Sequence, residues 1–183
     1  MDSRFEEILR TRRTVGAFRP ELPAWDGVAR AIELACWAPN HRKTEPWRFH
    51  MIGPETARGI VELNATLVAT KSGPEQATAK RKQWSAVPGW LAVTCVKCPD
   101  EFTHEEDYAA CCCAVQNLML ALWAEGIATK WSTGDVTRHP EYFRLLGADP
   151  ESERSVGLIW YGYPAVSPEQ SRRPVADVLR KLP

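Results

Sequence analysis

The sequence predicts an α+β fold in which a mixed sheet is flanked by helices, with residues 1–183 forming one domain. Runs rich in β-branched and aromatic residues, typical of strands, alternate with segments whose apolar residues recur at helical spacing. One further helical segment is apolar on nearly every side, which is typical of the centre of a fold. The four strand-like runs are residues 48–52, 90–98, 126–134 and 156–164.

The composition is that of a globular protein, with 44% hydrophobic residues, 25% charged residues and a formal net charge of zero. Without a net charge, the chain has no global field to attract nucleic acid or a membrane surface. No apolar run approaches the roughly 20 residues that span a bilayer, and the first residues are too acidic for a signal peptide. We therefore expect a cytoplasmic protein without nucleic-acid or membrane partners.

The six cysteines raise the question of a metal site, because Cys95 and Cys98 form a C-x-x-C motif and residues 111–113 are all cysteines. Cys95 lies in a predicted buried strand. Three consecutive side chains of a helix point in different directions, whereas metal ligands converge. We therefore predict buried, reduced thiols and no metal; a structural metal held by these cysteines is the alternative.

The N-terminal pattern predicts an amphipathic helix over residues 2–11, capped by Asp2 or Ser3. Arginines follow at its C-terminal end, where they can simply complement the helix dipole. Alternatively, Arg12 and Arg13 can bind phosphate together with the hydroxyl of Thr14, because guanidinium groups grip phosphate oxygens bidentately.

A second helix is expected to end at about Ala38, because proline disfavours helix in the residue before it. A polar loop then precedes the first strand. Cationic donors between two flat indoles can bind a planar, anionic ligand; a solvated turn with both tryptophans in the core is the alternative. The residues concerned are Trp37, His41, Arg42, Lys43 and Trp47.

The middle of the chain predicts a third helix after Pro54, a polar stretch at 71–88 that resembles a solvated helix face, and an acidic loop at 100–107. The segment 108–125 is the helix that is apolar on nearly every side, and it ends before Gly126. Such a helix is either central in the fold or packed against a second subunit. A short helical segment is expected at 138–147. No G-x-G-x-x-G fingerprint is present, which argues against a Rossmann domain.

Residues 38–49 read APNHRKTEPWRF. This stretch resembles the Ala-Pro…Gln-Pro-Trp-x-Phe signature of the FMN-dependent nitroreductase family, and the His after Pro-Asn is similar to a short bacterial branch named as NAD(P)H nitroreductases. The likeness extends from Arg12 to about Tyr163. It implies a nitroreductase-like fold, an intertwined homodimer built around the 108–125 helix, and FMN bound near the subunit interface.

The resemblance also implies roles for individual residues. The flavin phosphate is assigned to the Arg-x-Ser/Thr motif, and the flavin ring to the central loop and the third strand. The helix end at 121–126 corresponds to a nicotinamide-binding segment, although nothing in its apolar character explains that role. The implied cofactor residues are Arg12, Arg13, Thr14, Trp37, His41, Trp131, Ser132 and Thr133, with Lys43 and Arg172 as further candidates. The implied nicotinamide residues are Ala121, Leu122, Trp123, Ala124, Glu125 and Gly126.

The function that follows from the resemblance is an FMN-dependent NAD(P)H oxidoreductase that reduces nitroaromatics or quinones by a ping-pong reaction through flavin N5. Because the flavin carries the chemistry, no catalytic acid–base pair is expected. Two residues depart from the family pattern: Glu45 stands in place of Gln, and Lys43 in place of Asn. A flavin-binding or redox-sensing module without productive turnover is the alternative function.

Overall fold

The structure is a computed structural model that describes residues 3–183. It contains a four-stranded sheet with helices on both faces, so the predicted α+β class is confirmed. The helices are α1 Ser3–Thr11, α2 Trp25–Ala35, α3 Pro54–Ser72, α4 Pro74–Ser85, α5 Glu101–Ala124 and α6 Pro140–Leu146. The strands are β1 Trp47–Met51, β2 Gly89–Val96, β3 Ala128–Ser132 and β4 Glu153–Gly162.

The strand order is β1-β2-β4-β3, and every neighbouring pair of these strands is antiparallel. The parallel component of the predicted mixed sheet is small. Within residues 3–183 it is one bridge between Thr14 and Thr129. Strand β1 forms one edge of the sheet and β3 the other, which separates the central loop from the third strand.

The two faces of the sheet bury two separate cores. Helices α2 and α5 cover one face, where Leu91, Val93 and Ile159 pack against Val115 and Leu118. Helices α3, α4 and α6 cover the other, around an aromatic group formed by Trp84, Trp90 and Trp160 whose ring centroids lie 5.0–5.7 Å apart. Long side chains on alternating strand positions therefore divide between the two helical layers.

Helix α5 begins at Glu101, so the predicted acidic loop at 100–107 is wrong. Asp100 caps the helix, because its carboxylate accepts the backbone N–H of Thr103 at 2.9 Å, and the acidic residues that follow form the first two turns. Burial on every side is also wrong for the single chain. One face is buried, whereas Ala109 and Cys113 are exposed.

Helix α2 ends at Ala35, three residues before the predicted end. The chain tightens there, since the N–H groups of Trp37 and Ala38 bond to carbonyls three residues earlier, at 3.3 and 3.0 Å. The predicted third helix is confirmed as α3, and the polar stretch after it forms α4. Of the two proposed caps for α1, Asp2 lies outside the described residues.

All six cysteines are free thiols. Cys95 and Cys111 are buried as predicted, but Cys113 is exposed because it lies on the open face of α5. In the part of the chain that the structure describes, no cluster of His, Cys, Asp or Glu is placed to hold a metal ion. Among the same residues, no helix is both long enough and apolar enough to cross a membrane.

Candidate functional site

An arginine cluster lies just beyond the end of α1. Arg12 is half-buried, and burial together with the charges of Arg172 and Arg13 lowers the pKa of its guanidinium. Within residues 3–183, no carboxylate forms an ion pair with any of these three arginines. Arg172 comes from the C-terminal tail, so the fold brings together two candidates that are 160 residues apart in sequence.

The two neighbouring arginines differ in what they contact. The guanidinium of Arg13 donates to the backbone carbonyls of Arg10 and Arg12, at 2.6 and 2.9 Å. These bonds cap the C-terminal end of α1, which is the helix-dipole role considered for the pair. Arg12 makes no such side-chain bond in the described residues, so its donors remain available for an anion.

The segment after the cluster is attached to the start of β3. Thr14 pairs with Thr129, and the backbone N–H of Val15 donates to the Thr129 carbonyl at 3.0 Å. The hydroxyl of Thr14 is on an exposed residue. The arginine cluster therefore lies beside the first residues of β3, next to the C-terminal end of α5, where the indole N–H of Trp123 donates to the Thr11 hydroxyl at 2.9 Å.

Trp131 and Ser132 are the last two residues of strand β3, and Thr133 follows directly after it. The Trp131 indole is turned into the protein, where its N–H donates to the Val156 carbonyl at 3.0 Å. It packs closely against Gly157, because a side-chain carbon at that position would come within 2.2 Å of the indole nitrogen. Ser132 is partly buried and Thr133 is exposed.

The loop between α2 and β1 has a strained backbone. Arg42, Lys43 and Glu45 have φ values of +62°, +54° and +46°, a region that non-glycine residues rarely occupy. Such conformations persist only when surrounding contacts impose them, and they cluster at binding sites.

Those contacts are centred on Asp107 of α5, a carboxylate that is only 4% exposed. It accepts the Thr44 hydroxyl at 2.5 Å and the Asn40 amide at 3.4 Å. The Asn40 carbonyl oxygen in turn accepts the backbone N–H of Glu45 at 2.7 Å. A buried acidic residue therefore fixes the loop that carries the predicted ring contacts.

The two tryptophans beside this loop have different environments. Trp37 is 81% exposed, whereas Trp47 is 7% exposed and belongs to the core. The prediction of a ligand between two indoles is therefore wrong for Trp47, which opens β1 and points into the α2–α5 layer. His41 and Lys43 are exposed. The Glu45 carboxylate forms no ion pair within residues 3–183, and Arg48 donates to its backbone carbonyl instead, at 3.2 Å.

The structure separates the predicted cofactor residues into two groups. The first group lies in the central loop, which leads into β1, and the second lies along β3. These two strands form opposite edges of the sheet and are three strand spacings, or about 14 Å, apart. Along α5, the loop is anchored at Asp107 and the arginine cluster lies near Trp123, 16 residues or about 24 Å further on. One chain alone does not bring the two groups together.

The predicted nicotinamide segment, 121–126, lies at the C-terminal end of α5 beside the arginine cluster. Leu122 is fully buried, and Trp123 is partly buried with its N–H bonded to Thr11. Glu125 and Gly126 are exposed, and Gly126 has a φ of +75°, which glycine accommodates without strain.

Sequence reasoning missed two charged residues near these groups. Asp107 falls in the stretch expected to be an acidic loop, and nothing in the sequence separates it from the neighbouring Glu105 and Glu106. Lys130 extends from the middle of β3 over the Trp160 ring, with its ammonium 4.3 Å from the ring centroid. Burial and the nearby Lys80 lower the pKa of Lys130. Its aliphatic stem lies beside Gly16, next to the arginine cluster.

Comparisons with known proteins agree with this geometry. The model of the Nitroreductase family matches residues 9–163. The Bacillus subtilis protein named "Putative NAD(P)H nitroreductase YfhC" is 32% identical over an alignment of 176 residues that covers 93% of this chain and 90% of that protein.

Two solved structures share the fold over nearly their whole length. A nitroreductase-like family protein from Bacillus cereus superposes with a TM-score of 0.84 at 26% identity, covering 97% of this chain and 95% of the other. A Desulfovibrio desulfuricans protein in complex with FMN superposes with a TM-score of 0.79 at 22% identity, covering 100% and 99%.

Proposed function

The chain belongs to the nitroreductase family, and on this premise we propose that it is an FMN-dependent NAD(P)H oxidoreductase. The similar D. desulfuricans structure contains FMN, and the B. subtilis relative is named for NAD(P)H. The observation that carries the proposal for this chain is the half-buried Arg12, which keeps unused donors beside Arg172 and Arg13.

The donor set of this cluster fits the phosphate of FMN. Clustered guanidinium groups repel one another, and a dianionic phosphate relieves that repulsion while it accepts several charge-assisted hydrogen bonds. The exposed hydroxyl of Thr14 adds a further donor. Arg12, Thr14 and Arg172 would hold the phosphate, and Arg13 contributes its charge while it caps α1.

The strand that starts at the phosphate group offers a surface for the rest of the cofactor. From Thr129 to Thr133, four residues of extended chain span about 13 Å, so the binding surface is elongated and carries its phosphate donors at one end. Bound FMN supplies the hydride-transfer chemistry. The chain's own residues orient it through Ser132, Thr133 and the adjacent backbone, and Lys130 places a cation behind the strand.

The same proposal includes a homodimer with the cofactor near the subunit interface. The loop with Trp37, His41 and Lys43 is remote from β3 in its own chain, but a second copy packed on the open face of α5 can supply it. Apolar side chains exposed on the neighbouring helices α1, α2 and α5 and just after α2 favour such packing, since large exposed apolar patches mark interaction surfaces. They include Phe5, Leu9, Leu34, Trp37 and Phe102, which are 43–81% exposed.

The reaction we propose is ping-pong reduction of a nitroaromatic or a quinone, in which NAD(P)H binds and leaves before the acceptor enters. The predicted nicotinamide segment 121–126 keeps this role only as a proposal. Glu125 and Gly126 are the exposed residues of the segment and the part that a donor can reach.

The first test is the visible absorption spectrum of the purified protein, followed by anaerobic addition of NADPH or NADH. We expect flavin bands that bleach within seconds and return when a quinone or nitroaromatic is added. Flavin bands that persist with both donors would move the function to a flavin-binding or sensing module. A protein that takes up no added FMN would contradict the proposal.

The dimer is tested separately by the mass in solution, measured by light scattering on the flavin-loaded protein. We expect twice the chain mass of 20.6 kDa. A monomer with one tightly bound FMN would refute the shared site and would leave the oxidoreductase proposal to the spectroscopic test.

A further inference from the structure

A second polar pocket lies just beyond the end of β3. Its volume is about 420 Å³, and it is formed by the turn after β3, the first half of β4 and the start of α5. Of the residues assigned to the cofactor, Thr133 alone lines it. Its polar lining includes Lys97, Thr133, Arg138, Glu153, Arg154 and Ser155.

The pocket exists because β4 is longer than its neighbour β3. The last residue of β3, Ser132, pairs with Leu158, so the residues of β4 before Leu158 have no partner in β3. One edge of β4 is therefore uncovered there. The Trp131 indole blocks part of it by donating to the Val156 carbonyl, and the remaining edge forms the floor of the pocket.

The rim of the pocket carries more positive than negative charge. Within residues 3–183, neither Arg138 nor Arg154 forms an ion pair with a carboxylate. Arg154 is held with its guanidinium carbon 3.9 Å from the centroid of the Tyr108 ring. This stacking orients the group and leaves its N–H donors unused.

The other two charged groups of the rim are already engaged. Lys97 donates from Nζ to the Pro150 carbonyl at 2.6 Å. The Glu153 carboxylate accepts the hydroxyl of Thr94 and lies 3.6 Å from Nε2 of His50, on the sheet side. Within residues 3–183 this carboxylate forms no ion pair with either arginine, and three cations against one carboxylate leave the rim with a net positive charge.

A pair of buried hydroxyls lies at the floor of the pocket. Ser155, which lines the pocket, has its hydroxyl beside the buried hydroxyl of Tyr142, and neither has another hydrogen-bond partner in the described part of the chain. A bond between the two uses one of their O–H donors, so the other is available to a group bound in the pocket. Unused guanidinium donors at the rim and an available O–H donor at the floor together define the chemistry of an oxyanion site.

We propose that this pocket binds an oxyanion, a carboxylate or a phosphate, carried by a substrate of the adjacent site. Thr133 connects the two, because it ends the surface assigned to the cofactor and also lines the pocket. The assignment to a substrate rests on the proposed oxidoreductase function, whereas the anion site itself does not. If the acceptor carries the oxyanion, the enzyme should prefer acceptors with a carboxylate over neutral ones. If the electron donor carries it, the enzyme should prefer NADPH over NADH.

The anion site is tested by calorimetric titration of inorganic pyrophosphate into FMN-loaded wild-type protein and three variants. We expect Arg138→Gln and Arg154→Gln to weaken binding about tenfold or more, since each removes charge-assisted hydrogen bonds. Arg30→Gln, an exposed arginine of α2 outside the pocket, is the matched control and should change affinity less than about twofold. Undetectable binding to wild-type protein, or equal loss in all variants, would overturn the site.

Turnover then identifies the source of the anion. In Arg138→Gln, a raised KM for 4-nitrobenzoate with an unchanged KM for nitrobenzene assigns the pocket to the acceptor. A raised KM for NADPH with an unchanged KM for NADH assigns it to the donor. Equal changes for charged and neutral substrates would refute a substrate role. If no substrate is turned over, the proposed function fails, and the titration still decides whether the anion site exists.

Discussion

Replacing Arg12 by glutamine should have opposite effects on cofactor affinity and on the stability of the ligand-free protein. In the absence of an anion, Arg12 is half-buried beside two other arginines, and both burial and repulsion disfavour its charge, as the direction of its pKa shift indicates. Glutamine keeps much of the side-chain length and removes the charge. A residue that served only the fold would not show opposite effects.

The magnitudes follow from the environment of the group. A hydrogen bond to a charged group contributes about 1.5–3 kcal/mol, so the loss of Arg12 should weaken FMN binding roughly 10- to 150-fold. The repulsion that is relieved is screened by solvent, because the cluster is half-exposed, and we expect about 0.5 kcal/mol of added stability. For a domain of this size that corresponds to a rise in Tm of about 1–2 °C.

The assay compares FMN with riboflavin, which has the same ring and ribityl chain but no phosphate. Arg12→Gln should lower the affinity for FMN and leave the affinity for riboflavin unchanged, as measured by quenching of flavin fluorescence. Arg30→Gln is again the control. If both flavins lose affinity equally, the substitution has damaged the site's shape, and if neither does, Arg12 does not contact the phosphate.

Three further predictions concern the supports of the site. Asp107→Ala should release the strained loop and lower the free energy of urea unfolding by about 2–3 kcal/mol, because the Thr44 hydroxyl loses a charged acceptor; Asp107→Asn should cost less. Equal stability of the wild type and both variants would show that Asp107 does not anchor the loop. Gly157→Ala should displace the Trp131 indole, lower the free energy of unfolding by about 1–3 kcal/mol and shift the tryptophan emission. An unchanged emission spectrum would contradict the close contact. Burial lowers the pKa of His50 despite the nearby Glu153, so the stability that the neutral imidazole contributes is present above the ordinary pKa of 6.5 and is lost as pH falls below that value. His50→Gln should therefore flatten the fall in unfolding free energy below pH 6.5, and a slope identical to that of the wild type would refute this.

Local patterns predicted the sheet and most helices, and failed where distant contacts decide. All four strands were recognised from their apolar runs, because a strand buried on one or both faces carries that signal in its own sequence. The start of α5 was missed because its first turns are acidic and exposed, and the cap at Asp100 looked like part of a loop. The end of α2 was misplaced by three residues, since the chain tightens before Pro39.

The site was less accessible to sequence reasoning for a physical reason. Positive φ values at Arg42, Lys43 and Glu45 are imposed by Asp107, and no local propensity indicates them. The approach of Arg172 to Arg12 depends on the path of the whole tail. The family resemblance supplied the candidates, and the fold shows that they form two groups at opposite edges of the sheet.

The distribution of charge relates both proposals to one strand. The chain has equal numbers of acidic and basic residues, yet the environment of β3 is basic: the arginine cluster lies at its start, Lys130 at its middle, and Arg138 and Arg154 beyond its end. The compensating acids are concentrated elsewhere, notably in the first turns of α5. Like charges gathered in this way repel one another in the free protein, and anions that bind along the strand relieve that repulsion. Two separate anionic groups, one at each end of β3, satisfy this distribution, so saturating FMN together with pyrophosphate should raise the Tm more than either ligand alone.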